Sequence, residues 1–128
     1  AGDERLLRLE SDADLVQVVT IHKSKGLEYP VVFLPFPALC RPVDRRDRLL
    51  WQPLPGGGRR LVAEPDDDDW ATADADRLRE DLRLLYVALT RARHALWVGL
   101  AAVEAGRPRA PLWPRSAIGQ LLCGPGAE

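Results

Sequence analysis

The chain has 128 residues, 46% of them hydrophobic and 29% charged, which is the balance of a globular domain with a modest core. Its net charge of −1 gives no overall attraction to nucleic acids or membranes, so any affinity for DNA requires a local basic patch. The sequence has no apolar run of the roughly 18 residues that a transmembrane helix needs. Cys40 and Cys123 lie far apart, without the close Cys or His spacing of a metal site, so we expect no bound metal.

Two short apolar runs come first in chain order. Residues 15–21 (LVQVVTI) and 30–36 (PVVFLPF) are rich in β-branched residues and almost continuously apolar. Such runs are typical of strands that are covered on both faces of a parallel or mixed sheet. We therefore predict two strands of one sheet here, joined by the polar loop HKSKGLEY. Residues 1–14 read as a flank, and because the sequence contains no methionine we expect it to be a piece of a longer protein.

An irregular excursion occupies residues 37–69. Within it, the run Pro55-Gly56-Gly57-Gly58 predicts the turn of a β-hairpin, with strands around Leu50 and Leu61. The acidic run at residues 66–69 is most simply a solvated loop, which could also cap the helix that follows.

The clearest predicted element is a helix from Asp74 to about Thr90. Its leucines recur at four, three and four residues and form one apolar stripe, which consists of Leu78, Leu82, Leu85 and Leu89. A third buried strand is predicted at residues 95–101 and a short last helix within RSAIGQLL, before a tail at 123–128. The order of strand, loop, strand, excursion, helix and strand is typical of part of an α/β domain.

The loop after Ile21 is the first candidate for a functional site. It holds Lys23 and Lys25, the two lysines of the chain, together with hydroxyl groups, and Gly26 permits a tight turn. Ligands of open α/β sheets bind beyond the carboxyl ends of strands, and ammonium and hydroxyl groups suit phosphate oxygens. The simpler alternative is a solvated turn whose lysines only keep the chain soluble.

The end of the main helix is the second candidate. Arg91 and Arg93 lie just before a predicted strand, where an arginine can be an ordinary surface charge or a partner of the helix dipole. The planar guanidinium is also suited to bind phosphate in a forked geometry. The residue types alone leave these alternatives open.

Taken together, the two segments resemble a known family. VVTIHKSKGLEYPVVFLP is similar to motif V, and EDLRLLYVALTRARHALWVG to motif VI, of the UvrD/Rep-type superfamily 1 DNA helicases. The wording EDLRLLYVALTR, the long excursion between the motifs and the later SAIGQLL resemble the RecB (exodeoxyribonuclease V) branch of that family. The resemblance covers residues 15–122 and implies the C-terminal part of a RecA-like, P-loop NTPase-type domain, mainly a parallel sheet with packed helices.

The resemblance also implies roles for residues of the first loop. Gly26 and Glu28 would face the nucleotide, with Glu28 accepting hydrogen bonds from the ribose, and Lys25 would lie near a phosphate. DNA contacts are implied for three further residues of this loop, namely Thr20, His22 and Lys23.

Motif VI implies a catalytic role for Arg91, as the arginine finger that stabilises charge on the γ-phosphate during hydrolysis. Glu80, Arg83 and Thr90 would support the site, the first two by linking the helix to the loop. Tyr86 is expected to belong to the core.

The chain has no GxxxxGK[ST] phosphate loop, so the resemblance implies that ATP and Mg²⁺ are held by another half of the motor. The intact parent would be a cytoplasmic, bacterial 3′-to-5′ helicase and exonuclease in double-strand-break repair and recombination. Its partners would be single-stranded DNA, duplex ends, and RecC- and RecD-like subunits. The chain alone is expected to be inert, to bind no cofactor, and to self-associate through exposed sheet edges. The alternative is a non-catalytic module of helicase-like fold that binds DNA or protein.

Overall fold

A computed structural model describes residues 15–106 and 109–124 of the chain as a small mixed α/β structure. Its elements in chain order are β1 (Tyr29–Leu34), β2 (Leu49–Pro53), β3 (Arg59–Ala63), α1 (Asp67–Leu89), β4 (Ala92–Val98), β5 (Glu104–Ala105), β6 (Ala110–Pro111), the 3₁₀ helix Trp113–Arg115 and α2 (Ala117–Cys123). The strands form three two-stranded sheets, of which β1–β4 is parallel and the other two are antiparallel. Of the expected parallel sheet, these residues therefore contain one pair of strands.

The first predicted strand, residues 15–21, is wrong. Residues 16–20 have no strand structure, and Val16 and Val18 are 93% and 96% exposed. A strand requires a partner along its length and, when it is apolar on both sides, a covering layer on each face. Neither is supplied to this segment by the described residues.

The parallel pair β1–β4 contains the other two predicted strands. β1 begins one residue earlier than predicted, and β4 begins three residues earlier, since Ala92 already pairs with Tyr29. The pair ends at Leu34 and Val98. Gly99 follows, and a Cβ atom there would lie 2.7 Å from the carbonyl oxygen of Pro35, so the chain passes too closely for a side chain.

The predicted hairpin is present. β2 and β3 pair in antiparallel register, with Leu50 opposite Val62, and the glycines at positions 56–58 all have positive φ angles. Gln52 on β2 is buried and binds the start of α1 through a 2.7 Å hydrogen bond from its amide nitrogen to Asp69 Oδ1.

α1 begins at Asp67 and not at Asp74, so the predicted start was wrong by seven residues. Asp66 is its N-cap: the carboxylate accepts from the Asp69 backbone N–H at 2.8 Å, and Asp69 accepts from the Asp66 N–H at 3.2 Å. This reciprocal capping box satisfies donors that a helix start leaves unpaired. The acidic run therefore forms the first helical turn.

The core lies between α1 and α2. Its buried members are Ala38, Leu85, Ala117 and Ile118, and partly buried hydrophobic residues pack against them, Leu82 and Leu89 among them. The leucine stripe of α1 thus faces the core as its spacing predicts. Ser116 is fully buried and caps α2, the predicted last helix, by accepting from the Gly119 N–H at 3.1 Å.

No helix in the described part of the chain is both long enough and apolar enough to span a lipid bilayer.

Candidate functional site

The loop before β1 is a series of turns over residues 21–26. Ser24 organises it: its N–H donates to the Thr20 carbonyl at 3.1 Å, and its hydroxyl donates to the Ile21 carbonyl at 2.7 Å. Ser24 is 5% exposed, so its hydroxyl holds the turn and is not presented to a ligand. The Thr20 hydroxyl accepts from the Lys23 N–H at 3.3 Å and remains exposed.

Gly26 is required by the backbone of this loop. Its φ angle is +83°, a conformation that other residues adopt with strain, while the space around its Cβ position is open. The side chains of His22, Lys23 and Lys25 are exposed on either side of the buried Ser24. The loop therefore presents two ammonium groups and an imidazole on a turn whose shape Gly26 and Ser24 define.

Arg91 joins this loop to the end of α1. Its Nε donates to the Val87 carbonyl at 2.9 Å, and its Nη1 donates to the Leu27 carbonyl at 2.9 Å. Its Nη2 donates to the Thr90 hydroxyl at 3.1 Å, and its own carbonyl accepts from the Tyr29 N–H at 2.9 Å. The residues that were predicted from two separate motifs thus meet at one place.

Glu28 lies beside Arg93, at 3.8 Å between carboxylate and Nε, and both side chains are more than half exposed. The strand register accounts for this, because Glu28 precedes Tyr29 and Arg93 follows Ala92, and those two residues pair. Sequence reasoning missed Arg93 as a neighbour of Glu28. The parallel register that would have revealed it depends on a pairing 63 residues apart along the chain.

The supporting residues of α1 make local contacts. Glu80 and Arg83 form an exposed ion pair with each other at 3.5 Å, one turn apart. The hydrogen bonds and ion pairs of the described residues do not connect either of them to residues 20–28. Tyr86 is 69% exposed, so the expectation that it belongs to the core was wrong.

The site lies at the amino ends of two parallel strands. The loop leads into β1 at Tyr29, and Arg91 leads into β4 at Ala92. The sequence-based argument placed the loop at the carboxyl end of a preceding strand. Because residues 16–20 are not a strand here, that argument does not describe this structure.

A cavity of about 310 Å³ lies behind the site, between the end of β1 and the two helices. It is mainly apolar, and its lining includes Ile21, Leu34, Leu85 and Cys40 but none of the predicted ligand-contacting residues. Burial raises the pKa of the Cys40 thiol, which therefore stays protonated at neutral pH. This cavity is distinct from the charged surface that contains Arg91 and Glu28.

The residues present fit one side of a nucleotide better than they fit a metal ion. Glu28 offers an exposed carboxylate for hydroxyl groups, and Arg91 offers a guanidinium for phosphate. The described residues contain no group of three or more His, Cys, Asp or Glu side chains arranged to hold a metal.

Comparison with known proteins identifies the family. Residues 3–102 match the model of the UvrD-like helicase C-terminal domain. The chain is 50% identical over 98 residues to the RecBCD enzyme subunit RecB of Escherichia coli K12, which covers 74% of this chain and 8% of that protein. It is 38% identical over 115 residues to RecB of Haemophilus influenzae, covering 80% of this chain and 8% of that protein. An ATP-dependent helicase/nuclease protein of Leuconostoc mesenteroides is 41% identical over 129 residues, covering 88% of this chain and 10% of that protein.

The chain spans a tenth or less of the length of these relatives. The family model covers most of the chain and includes the loop, α1 and β4. The resemblance that the two motifs indicated is thereby confirmed. The chain belongs to the family of UvrD-like helicase C-terminal domains and is related to the RecB and AddA-type helicase–nucleases.

Proposed function

We propose that this chain is part of the second RecA-like domain of an ATP-dependent 3′-to-5′ DNA helicase and exonuclease of the RecB kind. In this proposal the complete protein acts with RecC- and RecD-like partners on duplex ends, in repair of double-strand breaks and recombination. The names of the relatives support it, since they are RecB proteins of the RecBCD enzyme and an ATP-dependent helicase/nuclease.

The observation that carries the proposal is the contact between Arg91 and the loop. Its 2.9 Å hydrogen bond to the Leu27 carbonyl fixes the guanidinium one residue from Glu28. One rigid connection therefore holds the group proposed to bind the γ-phosphate and the group proposed to bind the ribose. An arginine that served only as a surface charge would not need this connection across 64 residues of sequence.

The proposed mechanism divides the work between two halves of the motor. Mg²⁺, when bound with ATP in the other half, neutralises phosphate charge. From this chain, Arg91 supplies a second cation to the transferring phosphate, where a planar fork of N–H donors binds more strongly than a point charge. Glu28 accepts hydrogen bonds from the ribose, and Lys25 and Gly26 line the phosphate side of the loop.

The DNA contacts in the proposal come from the same loop. Thr20, His22 and Lys23 lie on its exposed surface, next to the nucleotide contacts at Gly26 and Glu28. Backbone phosphates suit an ammonium, an imidazole and a hydroxyl, and contacts of this kind are independent of base sequence. A loop that binds both ligands would couple hydrolysis to movement along a single strand.

The experiment is steady-state ATP hydrolysis by the complete helicase with saturating single-stranded DNA, together with direct measurement of nucleotide binding. Arg91→Ala should lower kcat by about three orders of magnitude while leaving ATP binding largely in place, because the finger acts mainly on the transition state. Arg91→Lys should not restore the rate. Glu28→Ala should mainly raise KM for ATP, since the ribose is bound equally in the ground and transition states. Arg79→Ala, an exposed arginine of α1, is the matched control.

A wild-type rate of DNA unwinding by Arg91→Ala would refute the proposal. If Arg91→Ala and Glu28→Ala only lower the melting temperature, the chain is instead a non-catalytic module that binds DNA or protein. The 128-residue chain by itself should show no ATPase activity, because the phosphate loop and metal ligands of the proposal lie elsewhere.

A further inference from the structure

Thr90 ends α1 and turns its hydroxyl back onto the helix. The hydroxyl oxygen lies 2.9 Å from the Tyr86 carbonyl and 3.1 Å from the Val87 carbonyl, and both carbonyls can only accept. The single hydroxyl hydrogen is therefore committed to the helix end. The lone pairs of Oγ1 are left to accept a hydrogen bond from another group.

That group is Arg91, whose Nη2 lies 3.1 Å from Thr90 Oγ1. The other anchors of the guanidinium are the backbone carbonyls of Val87 and Leu27. Among the described residues, Thr90 is thus the one whose side chain accepts from Arg91, and it is the anchor that mutation can remove without disturbing the backbone.

The anchors leave part of the guanidinium available. Arginine has five N–H donors, and these contacts use one each on Nε, Nη1 and Nη2. One N–H on Nη1 and one on Nη2 remain, and these two belong to different nitrogens of the same planar fork. A tetrahedral phosphate can accept from both, in the bidentate arrangement that arginine favours.

We propose that Thr90 is a positioning residue, whose hydroxyl fixes the plane of the Arg91 guanidinium so that its remaining N–H pair is pre-oriented for phosphate. This inference rests on the proposed role of Arg91 and adds the device that orients it. Pre-orientation matters because a donor fixed before reaction needs no reorganisation during the charge-developing step. The effect of Thr90 should therefore appear in kcat and not in KM for ATP.

The test uses two substitutions of matched size in the complete helicase. Thr90→Val keeps the branched shape and removes the hydroxyl, whereas Thr90→Ser keeps the hydroxyl. We expect Thr90→Val to lower the kcat of DNA-stimulated ATP hydrolysis by about ten- to a hundredfold, the usual effect of a lost hydrogen bond to a charged group. KM for ATP should stay within about twofold, and Thr90→Ser should recover most of the lost rate.

A double-mutant cycle separates positioning from general damage to the helix end. With Arg91→Ala in place, adding Thr90→Val should cause no further loss of kcat, because the group that Thr90 orients is gone. An equal loss in both backgrounds, or failure of Thr90→Ser to recover the rate, would refute the inference and leave Thr90 as a helix cap. Unchanged kcat in Thr90→Val, with kcat lost in Arg91→Ala, would refute this inference alone. Unchanged kcat in Arg91→Ala would refute both this inference and the proposed function.

Discussion

Gly119 in α2 lies directly against the backbone of Trp113: a Cβ atom at position 119 would be 1.9 Å from the Trp113 carbonyl oxygen. The same atom would be 3.0 Å from Ser116 Oγ, the hydroxyl that caps α2. The absence of a side chain at this position allows the 3₁₀ helix to fold back onto α2. Both elements contribute to the core, through Trp113 and Ile118.

Gly119→Ala should therefore destabilise the fold, although alanine is the better helix former by about 1 kcal/mol. A clash with a backbone carbonyl cannot be relieved by rotation of a side chain, and overpacking of this kind costs about 1–3 kcal/mol. Chemical denaturation of the 128-residue chain measures the difference, with Leu121→Ala in the exposed face of α2 as the control. A gain in the free energy of unfolding for Gly119→Ala would show that propensity dominates and the close approach is absent.

Leu85 tests the leucine stripe of α1. Its side chain is 7% exposed and belongs to the buried cluster with Ala38 and Ile118. Leu85→Ala should lower the free energy of unfolding by about 2–5 kcal/mol, since it removes buried apolar area and leaves a space beside the existing cavity. The neighbouring substitution Tyr86→Ala should cost much less, because Tyr86 is 69% exposed. Equal effects in a urea melt would contradict the assignment of the stripe to the core.

Elements whose signals are local were predicted well from the sequence. The leucine spacing of α1, the glycine turn of the β2–β3 hairpin and the last helix all depend on residues close together in the chain, and all are present. The start of α1 was missed because the acidic run at residues 66–69 suits both a solvated loop and a capping box. The choice depends on reciprocal bonds between Asp66 and Asp69, together with the hydrogen bond from Gln52 on another element.

Non-local features were predicted less well. The strand predicted at residues 15–21 failed because apolar, β-branched composition indicates burial but cannot supply a partner strand. In the candidate site, the motifs identified Glu28 and Arg91 from their residue types and spacing. The contacts of Arg91 with Leu27 and of Glu28 with Arg93 arise from the parallel register of β1 and β4, which composition does not encode.

The last prediction concerns pH and the charged cluster that ties α1 to the C-terminal segment. Asp74 accepts from Arg77 Nε at 2.8 Å and from Arg115 Nη2 at 3.3 Å, while Arg77 also binds Asp81 at 2.6 Å. Burial alone would raise the pKa of Asp74, but the hydrogen bonds and charges of Arg77 and Arg115 outweigh it and hold the pKa below its usual value. The carboxylate is therefore favoured in the folded state.

A lowered pKa in the folded state contributes stability that is fully present above the unfolded value, about 3.9 for aspartate, and is lost as pH falls through the folded value. At pH 7, Asp74→Asn should thus cost about 1 kcal/mol, a modest figure because the cluster is partly screened by solvent. The difference from the wild type should shrink as the pH falls below about 4. Asp67→Asn is the matched control, since Asp67 also pairs with an arginine, at 3.1 Å, but its side chain is 94% exposed. Urea melts of the three proteins from pH 7 to pH 3 measure this, and a pH-independent cost of Asp74→Asn would show that the charge on Asp74 does not stabilise the fold.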